Sequence, residues 1–566
     1  MTLPMRPSPD ATPRDPSTAP TIGQGSPAVP THASRSIAAA VRTVSGLTLV
    51  SRFAGLARDV VIVRIFGDTA LASSFRAAYA IPNLFRRLFG EGALSAAFLP
   101  EYTLLSRDDP KRADQLSSLI VRLVLLATGA LTFLGEIAFL VGLWLRSDNA
   151  ELSMSLRLMM LMLPMMPAVC LTAVLGGMLQ VHGRFGPPAA APIILNLFQI
   201  AVGVLFFTGT LTDQPTLAYA IAAAALLASA AQVAWSLFAL RGKVRWVGLF
   251  DLVKEPARNV KDRFIPASLG LGTLQLNTFL DMLIAMWPIW IGPTMLGRSV
   301  TLDQNSNAIL SFTQTVYQFP LGVFGIAVAT AVFPLLARTA DKPDEFLDVL
   351  RRGVRLSLFI GLPASVGLWL VRDDIVSTLF TGSRDRGGFS AEGLARAGVV
   401  LSGFAPAIWA YSLNHVFTRA FYARGDTKTP MTLAACIVVL NLVLNLVLIW
   451  PLREAGLAYS TATTAIVQCL VLGFLLRFRQ GVRTLDRHTI LAITRIVLAA
   501  AIMGAAVYFV SPFLPRTGTG MHRAWVLLSL CVVGGITYAL AAILLRAPEW
   551  RWLLHKGTRE RVTINE

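Results

Sequence analysis

The chain has 566 residues, of which 54% are hydrophobic and 14% charged, and its 50 Lys and Arg outnumber its 32 Asp and Glu for a formal net charge of +18. A composition this apolar excludes an ordinary soluble domain. The basic residues gather between apolar stretches and form no stripe interleaved with aromatics, which excludes nucleic acid as the partner and reads instead as membrane topology.

Residues 1–34 are rich in Pro, Ser and Thr and lack the apolar stretch of a cleaved signal peptide, so a disordered cytoplasmic tail is expected. After it, stretches long enough to cross a bilayer recur, about fourteen in all. The expected fold is therefore an all-α polytopic membrane protein. A Gly- and Pro-containing insertion from Ile289 to Asn307 reads as a loop or a short re-entrant piece.

The first span contains Ser51-Arg-Phe-Ala-Gly-Leu-Ala-Arg-Asp59. A charged side chain at bilayer depth costs at least a few kcal/mol, so it normally faces a bundle interior or a wet cavity. Arg52, Gly55 and Asp59 share one helical face, with Arg58 on its flank. The second span carries Arg76, then Arg86, Arg87 and Glu91. Arg87 and Glu91 stand four apart and are expected to pair along the helix, which leaves Arg86 about 100° around the axis. Both spans thus offer guanidinium groups to one shared space.

Lys and Arg concentrate in alternate connections: 107–112, 241–263, 338–355 and 477–487. The positive-inside rule places these connections, and both termini, in the cytoplasm. Similar punctuation recurs after roughly 240 residues. Ile81-Pro82 and Pro100 match Phe319-Pro320 and Pro334, and Pro167 with Pro187 matches Pro406 with Pro430. Each half then holds six spans, so the halves are expected to be parallel repeats. The expected organisation is a first six-helix bundle over 35–242, a cytoplasmic linker at 243–262, a second bundle over 263–481, two C-terminal helices within 482–546, and a basic tail at 547–566.

In a two-bundle transporter the site lies between the repeats near the midplane. The positive excess in the first bundle suits an anionic cargo, since guanidinium captures phosphate in a bidentate manner. A phosphate or pyrophosphate is expected. The second bundle holds a different polar set: Asp281, Asn441 and Asn445 one turn apart, and Thr461. With a backbone carbonyl such as that of Leu457, these hard oxygens form a candidate sodium site; the alternative is a set of hydrogen bonds between helices. No other cofactor is expected. His182 and His415 stand isolated and no acidic pair accompanies them, which argues against an enzyme. Cys170, Cys436, Cys469 and Cys531 sit in apolar runs and read as small core residues without disulfides.

The motifs Ser51-Arg52-x-x-Gly55-x-x-Arg58-Asp59, Pro82-Asn-Leu-x-Arg86-Arg87-x-Phe89-x-Glu91-Gly92-Ala93, Phe319-Pro320 and Phe421-Tyr422-x-Arg424-x-Asp426-x-Lys428-Thr429-Pro430 together resemble the MurJ (MviN) lipid II flippases of the MOP exporter superfamily. The resemblance covers nearly everything after the tail. It implies export of an undecaprenyl-pyrophosphate-linked disaccharide pentapeptide across the bacterial inner membrane, with Arg52, Arg58 and Arg86 lining the pyrophosphate cavity and Ser51, Asp59 and Glu91 beside them. It also implies a cell-wall synthesis complex as a partner, and the polar set around Asp281 is similar to a sodium site of some members. The sequence departs from the family at two positions. Ser73 stands where many members have an acid, and Thr315 where they have a cavity arginine, so either Arg76 or Arg419 compensates or the cargo contact is lopsided. Competing readings are a flippase for another polyprenyl-linked glycan, a drug exporter of the same superfamily, an integral-membrane transferase, and a non-transporting partner in wall assembly.

Overall fold

A computed structural model describes residues 32–90, 93–383, 386–515 and 520–554. Most of the expected tail, Glu91 and the end of the basic C-terminal tail lie outside the described residues.

The helices in chain order are α1 (His32–Phe66), α2 (Ala70–Gly90), α3 (Ala93–Asp108), α4 (Pro110–Leu145), α5 (Ala150–Met162), α6 (Met165–Val181), α7 (Gly186–Phe207) and α8 (Gln214–Leu240). After them come α9 (Lys254–Ala285) and the short α10 (Trp287–Trp290), then the hairpin β1 (Thr294–Met295) and β2 (Arg298–Ser299). The second half continues with α11 (Ser306–Pro320), α12 (Ile326–Arg338), α13 (Pro343–Leu370), α14 (Arg372–Phe380) and the hairpin β3 (Thr381–Ser383) and β4 (Arg386–Gly388). It ends with α15 (Ala391–Phe404), α16 (Ile408–Ala423), α17 (Lys428–Leu452), α18 (Glu454–Arg479), α19 (Arg487–Val510), α20 (Gly520–Leu544) and α21 (Glu549–Leu554).

Among the described residues, ten helical rows are long and apolar enough to cross a membrane: α4, α5 with α6, α7, α8, α13, α15 with α16, α17, α18, α19 and α20. Absent from that set are α1, α2 and α9, which carry the charges facing the centre, and α11, whose central face is polar but uncharged. Caps sharpen the helix starts. Asp109, Asn149, Asp213, Ser390 and Asp486 each accept a backbone N–H three residues on, and proline follows at the first turn of α4 and α8. Between α11 and α12 the chain makes a π-turn at Leu321–Gly325, directly after Pro320. Proline cannot donate into the helical ladder, and the wider turn takes up the break.

The two halves of the chain meet around the centre, and one end of the contact is densely bonded. Arg64 at the end of α1 donates to the carbonyls of Thr378 and Leu379. Asp68 accepts from both the backbone N–H and the hydroxyl of Ser390. Ser73 on α2 accepts from the Asn307 amide through its carbonyl and from the Ala308 N–H through its hydroxyl. At this departure from the family pattern, a neutral hydroxyl therefore caps the start of α11 across the interface.

One open expectation is narrowed here and one is corrected. The 289–307 insertion is a loop with a β-hairpin, and the Trp287 indole just before it donates to the Thr294 carbonyl. Of the cysteines, all free, Cys170 and Cys469 are buried but Cys436 and Cys531 are exposed on the outer surface, because apolar sequence in a membrane protein faces lipid as readily as core.

The insertion ends in an ion network. Arg396 on α15 binds Asp303 at 2.7 Å and Glu454 at 2.7 Å, and Arg453 binds Asp303 at 2.6 Å. Arg453 turns the corner between α17 and α18 at φ +53°, a left-handed conformation that non-glycine residues rarely adopt. Its bonds to Thr301 and Asp303 hold it there. Glu454 is 2% exposed, so removing its partner leaves a buried charge uncompensated. Arg396→Ala is expected to destabilise the purified protein by about 3–5 kcal/mol, read as a fall in Tm. Burial pushes the Asp303 carboxyl up, but the bonds and charge of Arg396, with Arg453, outweigh it and hold it below the usual carboxylate range. Its contribution is thus complete above the unfolded value and lost as pH falls through the depressed one. Tm should hold down to about pH 4 and drop below it in the wild type, and this acid limb should flatten in Arg396→Ala.

Candidate functional site

The centre of the molecule holds a cavity of about 290 Å³ lined by α1, α2, α9 and α11. Its charged residues are Arg52, Arg58, Arg76 and Arg87 against Asp59 and Asp281. Gln275, Thr278, Gln314, Thr315 and Gln318 complete a polar wall on the opposite half of the chain.

The hub is Asp59, 5% exposed. Its Oδ1 accepts from Arg58 at 2.7 Å and from Arg76 at 3.3 Å, so one carboxylate holds two guanidinium groups from two helices. Arg58 also donates to the Tyr79 hydroxyl at 3.0 Å and to Asn196 Oδ1 at 3.1 Å. Asn196 in turn donates to the Ser51 carbonyl at 3.3 Å, which makes Ser51 a backbone support of the site. Arg76 crosses to the other half, donating to the Ser311 hydroxyl and carbonyl at 3.2 Å each and to the Thr315 hydroxyl at 3.4 Å, with Phe312 under its guanidinium at 4.8 Å. Arg76 therefore occupies the space beside Thr315. Arg419 lies over the Phe333 ring instead and does not line the cavity.

Arg52 lines the cavity beside Gly322 of the π-turn. A Cβ at Gly322 would sit 1.8 Å from Arg52 Nη1, so a side chain there would push the guanidinium aside. Phe53 and Phe319 meet edge to face next to it, ring centroids 5.3 Å apart.

The expected arginine set changes in two ways. Arg86 is not among the cavity-lining residues; its Nε donates to Asn83 Oδ1 at 2.9 Å. Arg87 lines the cavity and donates to Gln275 Oε1 at 3.0 Å, across the interface. The expected partner, Glu91, lies outside the described residues. Nor are the guanidinium groups of α1 and α2 unpaired, since Arg58 and Arg76 share Asp59. Arg76 and Arg87 were visible in sequence as intramembrane charges, but the phase of the helix decides which of them faces inward.

Asp281, Asn441, Asn445 and Thr461 come together from α9, α17 and α18. Asp281 accepts from Asn445 at 2.6 Å and from Thr461 at 3.2 Å, and Asn445 donates to Asn441 Oδ1 at 3.1 Å. Leu457 is fully buried on α18, one turn before Thr461. Asn445 Oδ1 is buried without a hydrogen-bond partner. The Asn445 nitrogen faces Asp281 and Asn441, so the four residues stand as a set of hydrogen bonds between helices, while the carboxylate, the hydroxyl and the orphaned amide oxygen are of the hard kind that a small cation takes. Asp281 also lines the central cavity, so the two polar sites share a residue.

A family model described as lipid II flippase MurJ matches residues 62–529. A relative from Rhizobium tropici named probable lipid II flippase MurJ is 30% identical over 522 residues, covering 89% of this chain and 93% of the relative. One from Haemophilus influenzae with the same name is 31% identical over 527 residues, covering 88% and 98%. A solved structure of lipid II flippase MurJ in an inward closed conformation is similar at TM-score 0.71 and 21% identity, over 90% of this chain and 99% of that one. An inward-facing multidrug resistance MATE transporter of the MOP superfamily is similar at TM-score 0.60 and 13% identity, over 77% and 98%. At those identities the two structures speak for the fold alone. With the family match spanning most of its length, the chain belongs to the lipid II flippase MurJ family.

Proposed function

We propose that this chain is a lipid II flippase, moving the undecaprenyl-pyrophosphate-linked peptidoglycan precursor from the inner to the outer leaflet of the bacterial cytoplasmic membrane by alternating access. The observation that carries this reading is the buried cavity between the two halves, where Arg52, Arg58, Arg76 and Arg87 outnumber Asp59 and Asp281. Guanidinium groups prefixed by a carboxylate suit a pyrophosphate, because their forks match its oxygens and little side-chain freedom remains to be lost on binding. A drug/cation antiporter calls for an acidic cavity, which the arginines oppose. A transporter role is the reading carried by the family, and nothing in the site calls for catalysis.

The transport architecture we infer has fourteen spans: the ten apolar rows together with α1, α2 with α3, α9, and α11 with α12. Matching neighbours support a pseudo-repeat. In the first half α1 packs on α7, α7 on α8, α6 on α8 and α2 on α6; in the second α9 packs on α17, α17 on α18, α16 on α18 and α12 on α16. The basic connections support a topology with both termini in the cytoplasm and the bonded end, with Asp68 and Ser390, outside. A cavity of about 290 Å³ is too small for a head group of two sugars and five amino acids, so loading requires the bundles to separate. The interior-negative potential favours outward movement of the anion by about 2.3 kcal/mol per charge per 100 mV. Sodium is the proposed ligand of Asp281, Asn441, Asn445 and Thr461, with the Leu457 carbonyl as a further donor; bound there, it would supply a charge that neutralises Asp281 beside the cavity.

Expression in a bacterium depleted of its own lipid II flippase is expected to restore outer-leaflet lipid II, and Arg58→Ala and Arg76→Ala are expected to abolish that rescue while inserting normally. A well-inserted wild type that fails would move the reading to another polyprenyl-linked glycan. If the Arg76 guanidinium fills the place of a helix-borne arginine at 315, Thr315→Arg added to Arg76→Ala should recover transport, whereas Arg419→Ala should leave it near wild type. For the cation, sodium but not potassium should raise the Tm of the purified wild type, and Asp281→Asn should remove that increment; equal effects of the two salts on both proteins would dismiss the site.

A further inference from the structure

A second cavity, of about 340 Å³, opens on the lipid-facing side between the first-half helices α2, α4 and α5 and the second-half helix α9. Its walls are apolar, with Ile81, Phe139, Leu156 and Leu283 among them. Only a thin wall divides it from the arginine cavity. On α9, Asp281 and Met282 face the centre while Leu283 faces the cleft, and Phe279 lines both. On α2, Tyr79 and Ala80 face the centre and Ile81 the cleft. One aromatic ring and one turn of α2 thus separate the anion-binding space from the hydrocarbon.

The roof of the cleft is built by the 289–307 insertion. The Trp290 indole donates to the Ser155 hydroxyl at 3.0 Å, and Gln304 donates to Glu151, so the insertion reaches from α9 across to α5. At the same rim Arg146, just past the end of α4, lines the cleft and extends toward the Trp290 and Ile291 carbonyls at 3.4 Å each. These are long bonds to neutral acceptors, and a phosphate would offer this guanidinium a shorter, charge-assisted one.

We propose that this cleft is the lateral exit for the transported lipid: the polyprenyl tail lies in it while the pyrophosphate is still among the central arginines, Phe279 is the gate between the two, and Arg146 receives the phosphate as it leaves. The inference rests on the lipid II reading and on the orientation that places the α4–α5 turn outside. The physical need is plain. An isoprenoid tail cannot follow its head group into a polar cavity, so the lipid needs a slot where head and tail are solvated by different walls at once. The insertion then has a role as the lid of that slot, since opening it breaks the Trp290 and Gln304 bonds to α5.

The test is photocrosslinking of the full-length chain in proteoliposomes of phosphatidylethanolamine and phosphatidylglycerol with radiolabelled lipid II. Benzoylphenylalanine is placed at Phe139 in the cleft, at Gln318 in the central cavity, or at Leu134 on the outer face of α4. Label at positions 139 and 318, competed by unlabelled undecaprenyl pyrophosphate and much weaker at 134, is the expected result. Label at 318 alone overturns the exit and leaves the lipid II reading standing; label at neither overturns both. Equal label at 139 and 134, or competition by phosphatidylglycerol alone, makes the cleft a niche for bulk lipid and ends the proposal. In the same vesicles Leu156→Trp, which fills the cleft, should slow flipping about tenfold, given the usual cost of overpacking. Label at 318 should persist in that variant, and Leu134→Trp, on the outer face of α4 and outside the cleft, should flip at close to the wild-type rate. An unchanged rate in a folded Leu156→Trp protein would overturn the exit as well.

Discussion

One carboxylate makes this interior possible. Without Asp59, Arg58 and Arg76 would be two like charges facing each other in a medium that screens them poorly, and neither helix would hold its place in the membrane. With it, three charges from two helices become a unit with one net positive charge, whose remaining donors go to Tyr79, Asn196, Ser311 and Thr315. Those last two partners lie in the other half of the chain. The group that prepares the site for an anion therefore also clamps the two halves together, and a change in its charge state is felt at their interface.

The same logic of mutual dependence extends outward from the centre. Arg87 reaches Gln275, and Arg52 lies against the bare backbone of the π-turn, so three of the four cavity arginines, Arg58 excepted, touch the opposite half, and the carboxylates lining the cavity are Asp59 and Asp281. An arriving phosphate would compete with contacts that keep the halves together. Binding and opening draw on the same donors, which is the condition for a ligand to shift a conformational equilibrium at all.

Much of this was legible from single residues. Charges inside apolar stretches announce a cavity because the bilayer penalises any other placement, and that rule found Arg52, Arg58, Asp59 and Asp281. It also brought Asn441, Asn445 and Thr461 to attention, residues that the chain carries to Asp281 from 160 to 180 positions away. What spacing does not fix is helix phase. Arg86 and Arg87 differ by 100° around the axis, and Pro82, four and five residues upstream, removes a backbone donor that would otherwise keep the phase regular. The insertion was illegible for another reason. The segments on either side of its hairpin are held by tertiary bonds, Trp290 to Ser155, Gln304 to Glu151 and Asp303 to Arg396, none of them close in sequence. Apolar patterning likewise cannot tell lipid from core, which is why Cys436 and Cys531 face outward.

Gly322 carries a consequence of its own. The Arg52 guanidinium rests in space that a side chain at 322 would take, so this bare stretch of backbone works as a berth for the charge while the two halves are together. A methyl group at 322 would push aside the end of that long, flexible side chain, a cheap shift, and the arginine would come to rest elsewhere. The smallest residue in the pathway thus sets where one of its positive charges waits.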